Sequence, residues 1–352
     1  TGSAPAPLMP AALDDGGYSK GEEKTFLNRL DLYQKTFQWS ANLRTLNRKQ
    51  FGNAAFRKHQ EAIINAAMDG KDCFVLMPTG GGKSLCYQLP ALLEPGVTVV
   101  ISPLVSLMQD QVYNLELHKV GAVCINASTP YPELEHAFSC MTCDSSYEAI
   151  KTKLLYITPE KFANSDRMRK EMSKAYEMGR LSRIVVDEVH CVSEWGHDFR
   201  PDYKSLGRLK EFFPNTPLMA LTATAKKEVR VDIRRILKIE NAFMFLQSFN
   251  RANLYYEVRK KEKKKSGENI IEFIKKNYPN ETGIIYCIGK NRCEEVAGKL
   301  QDAGIKALPY HAGLDEGVRR ENQNQWSNDE TNVIVATIAF GMGINKPDVR
   351  FV

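Results

Sequence analysis

Short apolar runs recur along the chain from residue 73 onward: CFVLM (Cys73–Met77), VTVVIS (Val97–Ser102), KLLYIT (Lys153–Thr158), RIVVDE (Arg183–Glu188) and LMALTAT (Leu218–Thr224). Each is too short for a helix and apolar at consecutive positions, so the strand it predicts needs cover on both faces. Stretches of helical periodicity lie between the runs. Strand and helix in alternation predict a parallel sheet sandwiched by helices, the α/β class. FMFLQSFNRANLYYEV (Phe243–Val258) follows, and then a second series opens with GIIYC (Gly283–Cys287), ALPYH (Ala307–His311) and NVIVAT (Asn332–Thr337). Helical stretches such as NRCEEVAGKLQDAG (Asn291–Gly304) separate these runs as well.

A chain of 352 residues exceeds what one hydrophobic core usually serves, and the repeated alternation predicts two domains of the same architecture. The first is expected over 22–248 and the second over 249–352, with a hinge near Ser248 to Asn253. Residues 1–21 are rich in Gly, Pro, Ala and Ser without periodicity, so they are expected to be disordered, and the opening TGS reads as a cloning scar. From Glu22 to Gln50 the pattern turns helical and charged, a helical extension of the first domain.

Composition narrows the class only a little. Hydrophobic residues make up 43% and charged residues 26%, as in an ordinary soluble protein, and the net charge of +6 is compatible with a polyanionic partner without requiring one. No apolar run reaches the ~20 residues of a membrane span and the N-terminus lacks a signal-peptide pattern, so a soluble intracellular protein is expected. The cysteines are scattered, several of them inside apolar runs, and read as buried thiols of a reducing compartment. Cys140 and Cys143 form a C-x-x-C, but no second ligand pair follows, so no zinc is expected. RKKEKKK (Arg259–Lys265) fits a solvated loop, a localisation signal or a phosphate-contacting patch.

Chemistry enters with MPTGGGKSLCYQLP (Met77–Pro90), where three glycines and a cation stand between two apolar segments. A strand, a glycine loop and a helix starting near Lys83 is the arrangement in which backbone N–H groups turn inward around an anion at a helix N-terminus. Thr79, Gly80, Gly81 and Gly82 would wrap a phosphate; the Lys83 ammonium would reach the β- and γ-phosphates, and the Ser84 hydroxyl would serve Mg²⁺. Met77 stands where the strict G-x-x-x-x-G-K-[ST] pattern has its first glycine, so the loop by itself also fits a Gly-rich turn. RIVVDEVHCVSEWGHDFRPDY (Arg183–Tyr203) supplies the complement, with Asp187 and Glu188 at the end of an apolar run. Ligands of open parallel sheets bind at the carboxyl ends of the strands, so the acids and the glycine loop should converge on one crevice. Asp187 can hold Mg²⁺ through water while Glu188 orients and deprotonates the attacking water. Trp195 and Phe199 offer faces for unpaired bases, and His197, Arg200 and Lys204 offer donors for a phosphate backbone; core packing is the competing reading of the two aromatics.

Together these residues resemble the RecQ family of superfamily-two DNA helicases, most closely its Bloom-syndrome-like branch. The resemblance runs from about Leu46 to Val352. Its most specific element is CVSEWGHDFRPDY (Cys191–Tyr203) directly after DEVH (Asp187–His190), which is similar to the family's aromatic-rich loop. FGNAAFRKHQEAI (Phe51–Ile63) is similar to the adenine-reading motif, which implies that Gln60 bonds the base edge and Arg57 stacks on its face. ISPLVSLMQDQV with Ser102 and TPE with Thr158 resemble motifs that contact the DNA strand. Thr222 and Thr224 of TAT resemble the motif coupling hydrolysis to movement. YCIGK, YHAGL with His311 and ATIAFGMGINKPDVRFV with Thr337 are similar to blocks of the second domain. By implication His190 joins Lys83, Asp187 and Glu188 in the catalytic group.

The resemblance implies two tandem RecA-like P-loop domains that use ATP and Mg²⁺ to move 3′ to 5′ along single-stranded DNA. It also implies duplex junctions as substrates, a role in recombination and repair, a nuclear location and a type IA topoisomerase as partner. The family's arginine-finger, zinc-binding and winged-helix segments have no match here. The chain is therefore expected to be a catalytic-core fragment with an incomplete second domain and weak turnover, an arginine finger being worth ~10³ to 10⁵. Val189 replaces the usual alanine of the acidic motif. Asn53 stands where the family often has a larger residue, which implies looser packing of the adenine. Competing readings are a nucleotide-gated DNA-binding module without turnover, an RNA helicase of the DEAD-box kind and, least well supported, a P-loop kinase.

Overall fold

The computed structural model describes residues 31–352 apart from 127–128, 143–151, 196–198, 249–252, 261–264, 339 and 342–345. The chain divides into two compact units, Thr1–Ala252 and Asn253–Val352. Both are α/β, with parallel sheets.

The first unit is built on seven strands: β1 (Cys73–Leu76), β2 (Val97–Ile101), β3 (Gly121–Ile125), β4 (Thr152–Ile157), β5 (Leu181–Val186), β6 (Leu218–Thr222) and β7 (Phe243–Leu246). They are parallel in the order β3-β4-β2-β5-β6-β1-β7. The central runs are apolar throughout because alternate side chains enter two different cores. Phe74, Leu76, Val99, Ile101, Ile184 and Val186 pack in one cluster, and Cys73, Val75, Val100, Val185, Met219 and Leu221 in the other. Five of the seven strands coincide with apolar runs singled out in the sequence. The other two, β3 and β7, are the edges, and β3 is only partly buried along most of its length.

Register sets the carboxyl ends of the strands side by side. Ile101 pairs with both Ile157 and Val186, and Leu76 pairs with Thr222. The ladder continues one bond further, from Asp187 N to Ile101 O at 2.9 Å and from Met77 N to Thr222 O at 3.2 Å. The glycine loop, Ser102, Thr158, Asp187 and Thr222 therefore leave the sheet at one edge.

The second unit has three parallel strands, β8 (Gly283–Tyr286), β9 (Ala307–Tyr310) and β10 (Val333–Ala336), with β10 in the middle and wholly buried. Helices Ser266–Asn277 and Lys290–Asp302 cover one face through Ile274, Cys293, Val296 and Leu300; Trp326 and Phe340 cover the other. Gly283 forms a backbone bridge to Phe351, whose ring packs over it so closely that a Cβ there would lie 2.1 Å away and displace the ring. Of the sequence expectations, residues 1–21, the first part of the helical extension (22–30), Cys143, His197, most of the hinge near Ser248 to Asn253 (249–252) and much of RKKEKKK lie outside the described residues.

Candidate nucleotide site and aromatic loop

The glycine loop turns between β1 and helix Leu85–Leu93, whose first turn begins at Ser84. Gly80 and Gly82 have φ of 78° and 85°, a region closed to most L-residues, so the turn depends on them. Gly81 is needed for space, since its Cβ would fall 2.9 Å from Pro78 O. The loop is also held from outside. The buried Gln60 accepts from Arg57 N at 2.7 Å through Oε1 and donates to Gly82 O at 3.0 Å through Nε2, while Arg57 donates to Gly80 O. Both ends of a buried amide are thus satisfied, as burial demands. Thr79 and Gly80 face solvent, and Lys83 Nζ donates to Met77 O at 3.2 Å.

The acids follow β5 directly. Asp187 accepts from Glu188 N at 3.0 Å, and its backbone carbonyl accepts from the Tyr203 hydroxyl at 3.0 Å. Burial first, and then the neighbouring Glu188 charge, push the Asp187 carboxyl up to about 6; the Lys83 ammonium pulls the other way. That pull places Lys83 and Asp187 within electrostatic reach of each other, across the width of β6. Glu188 is held at φ 46°, a left-handed conformation that costs a non-glycine residue about 1 kcal/mol. It opens the 3₁₀ turn Val189–Val192. His190 Nδ1 lies 3.3 Å from Glu188 Oε2 and 2.8 Å from Thr222 Oγ1, so a proton there faces both. Thr222 Oγ1 in turn accepts from Thr224 N at 3.1 Å. The predicted residues Asp187, Glu188, His190, Thr222 and Thr224 thus form one connected chain of contacts, and Lys83 acts on Asp187 only through its charge.

The aromatic loop begins at Cys191. Trp195 is 79% exposed, which removes core packing as its reading. Phe199 is partly buried under the Lys204 ammonium, 5.5 Å above its ring, and Lys204 pairs with Glu194. Arg200 Nη1 donates to Pro103 O at 3.0 Å, drawing the loop to the turn after β2. Beside that turn, the buried Ser102 hydroxyl has no protein partner among the described residues. Thr158 is more ordinary: its hydroxyl accepts from Lys161 N at 3.2 Å and caps helix Pro159–Asn164. Asn53 donates to Asn47 Oδ1 at 3.0 Å.

In the second unit, His311 is buried at the carboxyl end of β9, 3.2 Å from Glu294 Oε1, and accepts from Gly313 N at 3.2 Å. Thr337 follows β10, its N–H on Tyr310 O at 3.2 Å. These two form their own edge, belonging to the second sheet. Sequence reasoning overlooked Tyr203, Ser193 and Asp232. Ser193 Oγ donates to Asp232 Oδ2 at 2.6 Å across 39 residues of sequence, a pairing that no local pattern announces.

Comparison with known proteins agrees with this geometry. The DEAD/DEAH box helicase family matches residues 57–231, and the helicase conserved C-terminal domain matches residues 263–352. The chain is 51% identical over 316 residues to ATP-dependent DNA helicase Q-like 4B of Arabidopsis thaliana, covering 90% of this chain and 27% of that protein. It is 49% identical to the RecQ-like DNA helicase BLM of Xenopus laevis (90% and 23% covered). It is 48% identical to ATP-dependent DNA helicase Q1 of Rattus norvegicus (91% and 51% covered). The chain therefore spans between about a quarter and a half of these curated relatives. In fold it is similar to the Mycobacterium smegmatis helicase Lhr bound to ssDNA and AMP-PNP, with a TM-score of 0.61 at 19% identity over 86% of this chain and 42% of that one. The DUF1998 helicase MrfA bound to DNA gives 0.66 at 17% over 88% and 46%. Two RecA-like units in tandem, a glycine loop facing paired acids and an aromatic loop after DEVH are thus joined to identities near one half along nine-tenths of the sequence: this chain belongs to the RecQ family of DNA helicases.

Proposed function

We propose that the chain is the motor core of an ATP-dependent DNA helicase, coupling hydrolysis to 3′-to-5′ movement on single-stranded DNA and to the opening of duplex junctions. The observation that carries this is the polar chain at the carboxyl edge of the first sheet, where Asp187 accepts from Glu188 N and His190 links Glu188 to Thr222, beside the glycine loop that leaves the same edge. Lys83 and the loop amides would bind the triphosphate, and Glu188, fixed by its left-handed backbone and by His190, would orient the attacking water and accept its proton. Gln60 and Arg57, whose side chains brace the loop, would read the adenine.

Ser84 and Asp187 suit a magnesium ion: both offer hard oxygen donors, and Asp187, raised first by burial and then by the Glu188 charge, is a carboxylate that a divalent cation would stabilise. When bound, such an ion supplies neutralisation of charge on the phosphate oxygens. Trp195, Phe199 and Arg200 would meet the DNA strand, with Ser102, Thr158, His311 and Thr337 as further contacts. A nuclear role in repair and recombination beside a type IA topoisomerase extends the same reading.

The test is hydrolysis of ATP by the intact protein with and without oligo-dT, and strand displacement on duplexes with a 3′ or a 5′ tail. Stimulation by DNA, unwinding from the 3′ tail only, and loss of both in Lys83→Ala are expected. Tight nucleotide binding with no DNA-stimulated turnover in the unaltered protein would sink the motor reading.

A further inference from the structure

The aromatic loop is anchored at its base and open at its face. Ser193 is fully buried, and its hydroxyl donates to Asp232 Oδ2 at 2.6 Å while accepting from Trp195 N at 3.3 Å. Asp232 has a side chain only 12% exposed, and its other oxygen lies 2.8 Å from Arg235 Nη2. It sits on helix Lys227–Ile236, which starts a few residues after Thr222 and Thr224 and packs Val229 and Ile233 into the first core cluster. The segment from Glu188 to Trp195 is thus fastened to the segment from Thr222 to Asp232 at two places: His190 on Thr222 beside the acids, and Ser193 on Asp232 beside the tryptophan. Between the two fastenings the first segment is a single 3₁₀ turn, Val189–Val192, whose apolar members are buried.

Such a short turn has little slack, so a displacement at Trp195 reaches either the Asp232 helix or the His190–Glu188 contact. A buried hydrogen bond to a carboxylate is worth roughly a tenfold change in an equilibrium when broken, enough to shift a two-state element. We propose that Ser193 and Asp232 are a positioning pair. They lock the base of the aromatic loop to the helix that follows the TAT turn, so that a DNA base stacked on Trp195 is transmitted to Thr222, His190 and Glu188. The inference rests on the motor reading above and adds to it the residues through which the loop acts.

The experiment measures ATP turnover of the intact protein with and without saturating oligo-dT in Ser193→Ala, Asp232→Ala, Asp232→Asn and, as reference, Trp195→Ala. In Ser193→Ala and Asp232→Ala the rate without DNA stays within about twofold of the unaltered protein, and stimulation by DNA falls about tenfold. The two changes combined do no more than either alone, because they remove the same bond. Asp232→Asn keeps an acceptor for the serine hydroxyl and retains stimulation, a rescue that separates positioning from general loss of stability. The proposal is overturned if stimulation survives in Ser193→Ala and Asp232→Ala while Trp195→Ala abolishes it, or if basal and stimulated rates fall together. Full stimulation in Trp195→Ala overturns it too, along with the loop's role in coupling; hydrolysis that still depends on Lys83 would then leave the nucleotide site standing.

Discussion

The seven-stranded sheet carries charged side chains at both its amino and its carboxyl edge, and the two edges treat them in opposite ways. At the amino edge Arg183 on β5 is wholly buried, and it donates to Glu94 Oε1 at 2.5 Å and to Ala67 O at 2.8 Å, while Lys153 Nζ donates to Glu94 O at 3.0 Å. Burial still pushes the Glu94 carboxyl up, against the pull of Arg183 and Lys153, but the negative charge is answered by cations of the protein itself. At the carboxyl edge two carboxylates stand next to each other in sequence, with Lys83 as a partial counterweight and one of them on a left-handed backbone. A fold can keep an unbalanced pair of acids only where the loss in stability is compensated by what they do, so the contrast marks one edge as structural and the other as functional.

The sharpest way to break the comparison is to remove a charge from each edge and see which property suffers. Glu188→Gln is expected to lower DNA-stimulated ATP turnover by about 10³-fold, the middle of the range for a lost general base. It should leave nucleotide affinity nearly unchanged and raise the unfolding free energy by about 0.5 to 1 kcal/mol, since it relieves a like-charge contact. Rapid-quench hydrolysis assays and urea unfolding measure the two effects. Normal turnover in this variant would reassign the base, and a marked loss of stability would erase the distinction between the edges.

Arg183→Ala makes the opposite cut. It leaves Glu94 buried without its main partner, which costs about 3 kcal/mol of stability, the lower end for a broken buried pair because Glu94 can take up a proton instead. ATP turnover per folded molecule should change less than about twofold, as the site lies at the other end of the strands. Urea titration followed by circular dichroism, beside an assay normalised to folded protein, checks both. A stable variant with tenfold lower turnover would mean that the amino edge is part of the motor.

How far the sequence announced each edge follows from what kind of signal each leaves. The central strands were legible because burial on both faces forces consecutive apolar residues, as in Val97–Ile101. At the β3 edge that pressure relaxes, for it reads GAVCI, with a glycine and partial burial; β7 is apolar and buried at three of its four positions, but its FMFL is followed directly by the mixed stretch after Leu246. The carboxyl edge was legible as chemistry, since glycines before a Lys-Ser and an Asp-Glu after an apolar run are residue types that few other tasks require in that order. Arg183–Glu94 and Ser193–Asp232 were not, because an arginine in a strand or an aspartate on a charged helix becomes informative only when the fold brings a partner from a distant segment. Gln60 shows a third case: its motif implied a role toward the base, and the structure adds that its amide already braces Gly82.

The finest test concerns the charge balance at the carboxyl edge. Burial and then the Glu188 charge raise Asp187, to about 6, while the Lys83 charge, the Glu188 N–H and His190 lower it. The sign for binding follows directly. A carboxylic acid must lose its proton to serve a metal ion, so affinity for magnesium nucleotide should fall as the pH drops through about 6, by up to tenfold per pH unit well below it. Replacing the acids' neighbours should move that point in opposite directions. Glu188→Gln removes the like charge and shifts the Asp187 titration to lower pH; Lys83→Met removes the counterweight and shifts it higher. Because burial is the largest cause, the first variant should still titrate above an exposed aspartate. Carboxyl-carbon NMR of selectively labelled protein without nucleotide reads all three titrations without relying on turnover. Equal half-points in the three proteins would mean that Lys83, Asp187 and Glu188 do not share one electrostatic site, and the functional edge would lose its physical basis.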